Sequence, residues 1–359
     1  MSADLLPKKR RSGPPNDPQR PNPSSSPSSN VNLKLHPEFW FDDGNIVLVA
    51  QRTAFRIYRG LLSSQSTVFS DMFVSSSSSA DETFDGCPII HLSDSPHDVA
   101  HLLRVLLPKS SIEYVYSTSS PRPVRNFDEV FALVRLAHKY HIQYVQDQAL
   151  AALQIYDFTS NFKTFCKGLA NNAESLLQKR AQAIGAVTLG RLTNTPSMLP
   201  RALYHCAYLG SAVLDGWTRG HGTIEHLSPA DLRRCIDGRV TLGQEHLLAL
   251  SRLFNDTLSM SCTRPDCCRK WLRRVQGFIG RFPNATSDLP LSDWTTTLRR
   301  WAEGALCRAC EEELVTRHRR ERRKIWNKLP KLFDIEIEGW GEPESEVEED
   351  NDDGNLLPL

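Results

Sequence analysis

No apolar run in the 359-residue sequence reaches the roughly 18 residues that a membrane-spanning helix needs, so a transmembrane span is excluded. Glycine-rich phosphate loops, the dinucleotide fingerprint and the Gly-x-Ser-x-Gly elbow are all missing, which removes the usual sequence grounds for a nucleotide-dependent enzyme or a serine hydrolase. The basic run Lys8-Lys9-Arg10-Arg11 passes into Pro and Ser instead of an apolar stretch, so no secretory signal is expected. Apolar residues are few, at 40%, and mean hydropathy is −0.39. That balance points to polar tails around a folded body. Cysteines number nine. An odd count without a secretory signal reads as reduced thiols or metal ligands, not as a disulfide framework. The body is long enough to bury a core without such staples.

Net charge is also nearly absent, at +1, but it is unevenly spread. Residues 1–30 carry five basic and two acidic side chains, and residues 31–263 carry 21 of each. Residues 264–333 carry 17 basic and eight acidic, a net +9, and residues 334–359 carry 11 acidic and no basic. A neutral body is therefore followed by a basic module and then by an acidic tail of almost matching charge. The first 30 residues hold seven Pro and seven Ser and should be disordered, as should the acidic tail at 334–359.

Between the tails, strand and helix signals alternate. Ile46-Val47-Leu48-Val49 is a short continuous apolar run of a buried strand. Gln51-Arg52 interrupts it, and Thr53, Phe55 and Ile57 alternate as the second arm of a hairpin. Leu61, Leu62, Val68, Phe69, Met72 and Phe73 fall at helical spacing, and Ser75 to Ser79 read as a loop. Pro88 to Leu92 is a third strand. Ser95-Pro96 caps a helix with Val99, Leu102, Leu103 and Leu106 on one face. Asn126 caps the next, with Val130, Phe131, Val134, Ala137 and His138 inward. After His141 another helix turns Val145, Ala149, Ala152 and Leu153 inward.

This order and several motifs resemble the BTB/POZ family, and within it the fungal BTB-domain proteins. The segments that carry the resemblance are His36-Pro37-Glu38-Phe39-Trp40-Phe41-Asp42-Asp43-Gly44-Asn45-Ile46-Val47-Leu48, Phe55 to Leu62, Ser66 to Phe73, Ile90 to Pro96, and Leu136-Ala137-His138-Lys139-Tyr140. It extends more loosely through Leu203-Tyr204 and Leu227-Ser228-Pro229 to Ile325–Phe333. The family usually has His where Tyr58 stands, and Pro108 to Tyr116 lacks its Gly-containing turn. The resemblance implies an α+β fold with a BTB/POZ domain at 31–157, and the pattern beyond it predicts an all-helical C-terminal domain at 158–333. The resemblance also implies a non-enzymatic scaffold or adaptor that binds protein partners and pairs with itself. The three consecutive aromatics Phe39, Trp40 and Phe41 are more than one exposed strand face would want alone, and a fragment from Val31 to Asp157 is expected to self-associate.

From Phe158 onward the pattern is helical. Leu176, Leu177, Ala181, Ile184 and Val187 make one face, and Leu199, Leu203 and Cys206 another. Ser228-Pro229 caps a helix that Gly238 should end, with Leu247, Leu250 and Phe254 inward on the next.

Candidate chemistry is sparse. His97-Asp98-Val99-Ala100-His101 is superficially like a metalloprotease helix, but Asp stands where that motif needs the longer Glu. The reading is exposed histidines on a BTB-type helix. His138-x-x-His141 straddles a helix end and reads as a core histidine beside a turn. No catalytic residue is assigned. Cys262, Cys267, Cys307 and Cys310 match a tetrathiolate zinc site in count and ligand type, with Cys268 as the alternative to Cys267. Structural zinc is the one cofactor the sequence suggests. Arg317, Arg319, Arg320, Arg322, Arg323 and Lys324 sit in an expected helix with Leu314, Ile325 and Leu329 inward. They are read as a solvated face neutralised by the nearby tail, with nucleic-acid contact as the functional alternative. Lys8–Arg11 has the form of a nuclear import signal, so the protein is expected inside the cell, in nucleus or cytoplasm. Two further readings are kept beside the scaffold: a nuclear DNA-associated regulator, and a substrate adaptor of a cullin-type ubiquitin ligase.

Overall fold

The structure is a computed structural model that describes residues 33–77, 82–107, 126–156, 158–170, 180–279 and 290–341. The Pro/Ser-rich segment 1–30, the Lys8–Arg11 run, Leu176, Leu177 and the Pro108–Tyr116 segment lie outside the described residues.

The N-terminal part follows the expected α+β order with two additions. Strands β1 (Lys34–Trp40), β2 (Ile46–Ala50) and β3 (Thr53–Ile57) precede helices α1 (Arg59–Ser63) and α2 (Thr67–Ser77). Then come β4 (Thr83–Phe84), β5 (Cys87–Leu92) and helix α3 (Pro96–Leu106), followed by α4 (Phe127–Lys139) and α5 (Gln143–Tyr156). The sheet order is β1-β3-β2-β5-β4. β2 and β3 form the expected hairpin, pairing Ile46 with Ile57 and Ala50 with Thr53. Gln51 takes a positive φ of 54° to close its tight turn. β1 runs parallel to β3 and β5 parallel to β2. Ser75 and Ser77 continue α2, so the serine run starts inside a helix and not in a loop.

Alternation along β2 places Ile46, Leu48 and Ala50 in the main core and Val47 and Val49 on the other sheet face. The main core gathers Phe55, Phe69, Phe73, Leu102, Leu103, Leu133, Leu136 and Tyr140. Ser95 caps α3 by accepting from the His97 and Asp98 amides, and Asn126 caps α4 by accepting from Asp128.

The C-terminal part contains α6 (Phe162–Ala170), α7 (Ala183–Leu192), α8 (Leu199–Ala207), a two-stranded ribbon of β6 (Trp217–Thr218) and β7 (Ile224–Glu225), α9 (Pro229–Leu253), α10 (Pro265–Ile279), α11 (Thr295–Ala302) and α12 (Arg308–Leu332). The region is helical apart from that ribbon. α9 is continuous for 25 residues through Gly238, which corrects the expected break. A Cβ at Gly238 would lie 2.5 Å from the Phe333 ring, so this glycine lets two helices approach and does not end one. On the same helix Leu247 is exposed, while Leu250 and Phe254 are buried.

The two parts share a helix. α4 is buried nearly all round, with Leu133, Leu136 and Ala137 in the N-terminal core and Phe127, Val130, Phe131 and Val134 in the C-terminal core. The latter also holds Ile184, Val187, Leu203, Tyr204, Trp217, Trp326 and Phe333. A cut after 157 would therefore open a core. At the other boundary, Ile335 and Trp340 pack against the C-terminal core while Asp334, Glu336 and Glu338 are exposed, so the chain stays anchored past the expected tail boundary at 334. Trp340 stacks on Trp326 at 5.1 Å and donates its Nε1–H to the Trp326 carbonyl at 2.8 Å.

Candidate functional site

Among the described residues, three places that bring chemistry-bearing side chains together bear on function. The first is the sheet surface of the N-terminal part. Of the three aromatics there, Phe39 is buried against Phe55, Trp40 meets Phe84 edge-on at 5.6 Å, and Phe41 stacks on Tyr58 at 5.1 Å. They are partnered within the chain, which corrects the picture of a free aromatic strand face. The Tyr58 hydroxyl donates to Asp43 Oδ1 at 2.6 Å, and that bond raises the phenol's pKa. Among the described residues the edges of the sheet are β1 and β4, and β1 carries the exposed Leu35.

The second place is the junction between the two parts. Arg219, in the loop after β6, donates to both oxygens of Asp98 at 2.8 and 2.7 Å and to Asp128 Oδ1 at 2.6 Å. Arg135 bridges Asp98 and Glu225 at 3.2 and 3.3 Å. Asp98 and the Arg219 side chain are almost fully buried, and the guanidinium lies over the Phe131 ring at 4.8 Å. Burial pulls the arginine toward neutrality, but Asp98 and Asp128 outweigh it and raise its pKa. Asp98, the residue that fails as a metalloprotease base, is thus one half of a buried ion pair. His97 is exposed and stacks on His221 at 5.7 Å. His101 is half-buried against Arg104, 3.2 Å away, which corrects its reading as exposed. His138 is half-buried, with Nδ1 3.1 Å from Gln146 Oε1, and His141 is exposed at positive φ.

The third place is a cluster of thiols. The Sγ atoms of Cys262, Cys268, Cys307 and Cys310 all lie within 4.8 Å of one another. Cys262 sits in the loop before α10, Cys268 in the first turn of α10, Cys307 at the N-cap of α12 and Cys310 in its first turn. Cys267 is exposed and outside the group. This corrects the sequence choice: adjacent residues on a helix point about 100° apart, so only one of Cys267 and Cys268 can face the others. None of the nine cysteines is in a disulfide. The Cys307 amide donates to Cys268 Sγ at 3.3 Å, and Cys307 and Cys262 sulfurs are 3.7 Å apart. Burial pushes the Cys307 thiol up, but hydrogen bonds from the Thr263 and Cys310 amides and from neighbouring thiols bring it down to about 6. Burial, followed by its bonds to Cys262 and Cys307, pushes Cys310 up to about 12. Arg264 ties the two loops by donating from Nη2 to the Leu306 carbonyl.

The basic set on α12 divides. Arg317 is buried and donates to Asn255 Oδ1 at 2.7 Å and to the Thr257 carbonyl at 2.5 Å, bracing the loop that carries Cys262. Arg322 is buried over Phe162 and Phe165 and donates to the Leu291 carbonyl at 3.1 Å. These two are structural, which corrects their assignment to a solvated face. Arg319, Arg320 and Lys324 are exposed, and Lys324 pairs with Glu321 at 2.5 Å.

A BTB/POZ domain family model matches residues 40–155. The match covers β2 to α5 and the end of β1, so the N-terminal part is a BTB/POZ domain and a helical region follows it. BTB/POZ domains are protein-interaction domains, which supports that class of work for this chain. No curated protein and no solved structure matches the chain. Among the described residues, no helix is long and apolar enough to cross a membrane.

Proposed function

We propose that the protein is a non-enzymatic scaffold or adaptor that pairs with itself and with protein partners through its BTB domain. The observation that carries this reading is the match at 40–155 to a protein-interaction domain. The position of β1 supports self-association. Among the described residues it is an edge strand, and the outward backbone groups of such a strand can pair with another chain. The helical region adds a second apolar surface on α9, where Ile236, Val240, Leu247 and Leu248 are all about half exposed or more. Work inside the cell fits nine cysteines kept as thiols.

Light scattering on the full-length protein tests the reading. A dimer mass is expected, stable on dilution into the low micromolar range. A monomer mass at high micromolar concentration overturns it.

A further inference from the structure

We propose that Cys262, Cys268, Cys307 and Cys310 bind one structural zinc ion. This inference does not depend on the BTB reading, because the four residues lie in the helical region. The four sulfurs are mutually close enough to share a single ion. With zinc–sulfur bonds of about 2.3 Å, a tetrahedron has sulfur–sulfur edges of about 3.8 Å, and the Cys262–Cys307 edge is 3.7 Å. A two-iron cluster needs ligands at opposite ends of a larger core, which sulfurs within 4.8 Å of one another do not supply. Thiolates suit the borderline-soft zinc ion. All four positions are filled by protein, as in a closed structural site.

The surroundings are built for negative sulfur. α10 and α12 both begin at the cluster, so the positive ends of two long helices meet there. The Cys307 amide already donates to Cys268 Sγ, the kind of outer contact that holds metal ligands in place. Zinc held by four thiolates would leave the site at a net charge of −2. The ion also answers a structural need. The core around the cluster consists of Leu250, Leu253, Phe254, Leu272, Leu298, Ala302, Leu306, Leu314 and the three buried cysteines. A core this small is the kind that natural proteins staple with a metal.

The test uses the full-length protein purified without chelator. Elemental analysis should find one zinc per chain. Cys267→Ser should retain it, whereas Cys268→Ser and Cys310→Ser should lose it. Since a ligand variant can fail to fold, apo wild-type and Cys267→Ser proteins are also loaded with cobalt(II). Both should show the strong sulfur-to-metal charge-transfer absorption and the tetrahedral band pattern of four thiolates. Wild-type protein free of metal, iron in place of zinc, loss of zinc from Cys267→Ser, or an octahedral cobalt spectrum would each overturn the proposal.

Discussion

The BTB domain and the helical region bury different things. Within the BTB domain, the interior side of the sheet carries Phe, Leu, Ile and Ala, and among the described residues its buried polar side chains are Ser66, Asp94, Asp98 and Gln146. The helical region buries Arg201, Arg219, Arg317 and Arg322 along with His246, His318 and Glu321. Apolar burial is non-directional and tolerant of detail, whereas each buried charge needs its own partners. The domain thus depends mainly on pattern, with individual pairs at Asp94 and Asp98, and the helical region more on individual pairs, so single substitutions should affect the two unequally.

The largest effect is expected where the two meet. Arg219→Ala leaves Asp98 buried with the half-exposed Arg135 as its remaining cation among the described residues. Losing one partner of a buried pair costs about 3–5 kcal/mol, read as a lower urea midpoint for the full-length protein. Adding Asp98→Leu should recover part of the loss, since removing both charges removes the unpaired one. No loss in Arg219→Ala would show that the junction is as tolerant as the sheet core.

A second way to sharpen the contrast is pH. The His318 ring accepts the Trp294 amide proton at Nε2, 2.9 Å away, which requires it to be neutral. Burial first, and then Arg322, lowers its pKa from the ordinary 6.5 to about 4, against the opposing pull of Asp293. The unfolded chain therefore binds this proton more readily than the folded one. The stabilisation is complete above pH 6.5 and is lost as pH falls toward about 4, by up to about 3 kcal/mol. His318→Gln keeps an acceptor without the titration. Its stability should fall less steeply than wild type across that window, and parallel curves would refute the assignment.

Two glycines of α9 provide a smaller, signed test. Gly→Ala inside a helix normally stabilises by about 0.5–1 kcal/mol. Gly243→Ala meets nothing within 4 Å and should do so. Gly238→Ala drives a methyl into the Phe333 ring and should destabilise by about 1–3 kcal/mol. Thermal melts that move in the same direction would mean the α9–α12 contact is looser than described.

Much of the BTB domain was legible because its signals are periodic. Ile46 to Val49, the Val99-Leu102-Leu103-Leu106 face and the Ser95 and Asn126 caps each show in a few adjacent residues. What escaped was long-range. Gly238 looks like a helix end until Phe333, 95 positions later in the sequence, is seen against it. Asp98 and Arg219 are 121 residues apart, and no spacing rule joins them. α4 shows one inward face in the sequence because one face suffices to predict a helix, but Leu133 and Leu136 serve a second core. The thiol cluster was legible in count and ligand type. The choice between Cys267 and Cys268 was not, because it depends on where α10 starts and how it is rotated.

The smallest effects are expected on the exposed side of α12. Arg319 and Arg320 point to solvent, so Arg319→Ala and Arg320→Ala should each change stability by no more than about 0.5 kcal/mol. Their charges still contribute to any polyanion contact. Eight of the 11 acidic residues of 334–359 follow Gly341, beyond the Trp340–Trp326 stack. Sequence adjacency raises their effective concentration near α12, and many weak exposed pairs together can cover a basic surface at low salt. Truncation after Gly341 keeps the tryptophan stack and removes those eight charges. It should raise binding to nonspecific DNA and steepen its loss with salt, because each phosphate neutralised adds about one unit to the salt slope. Combining the truncation with Arg319→Ala and Arg320→Ala should remove the gain without shifting the melt. Overlaid salt titrations for the full-length and truncated proteins would show that the tail does not screen α12, and its exposed arginines would then be only the solvated face of a helix whose other arginines hold the region together.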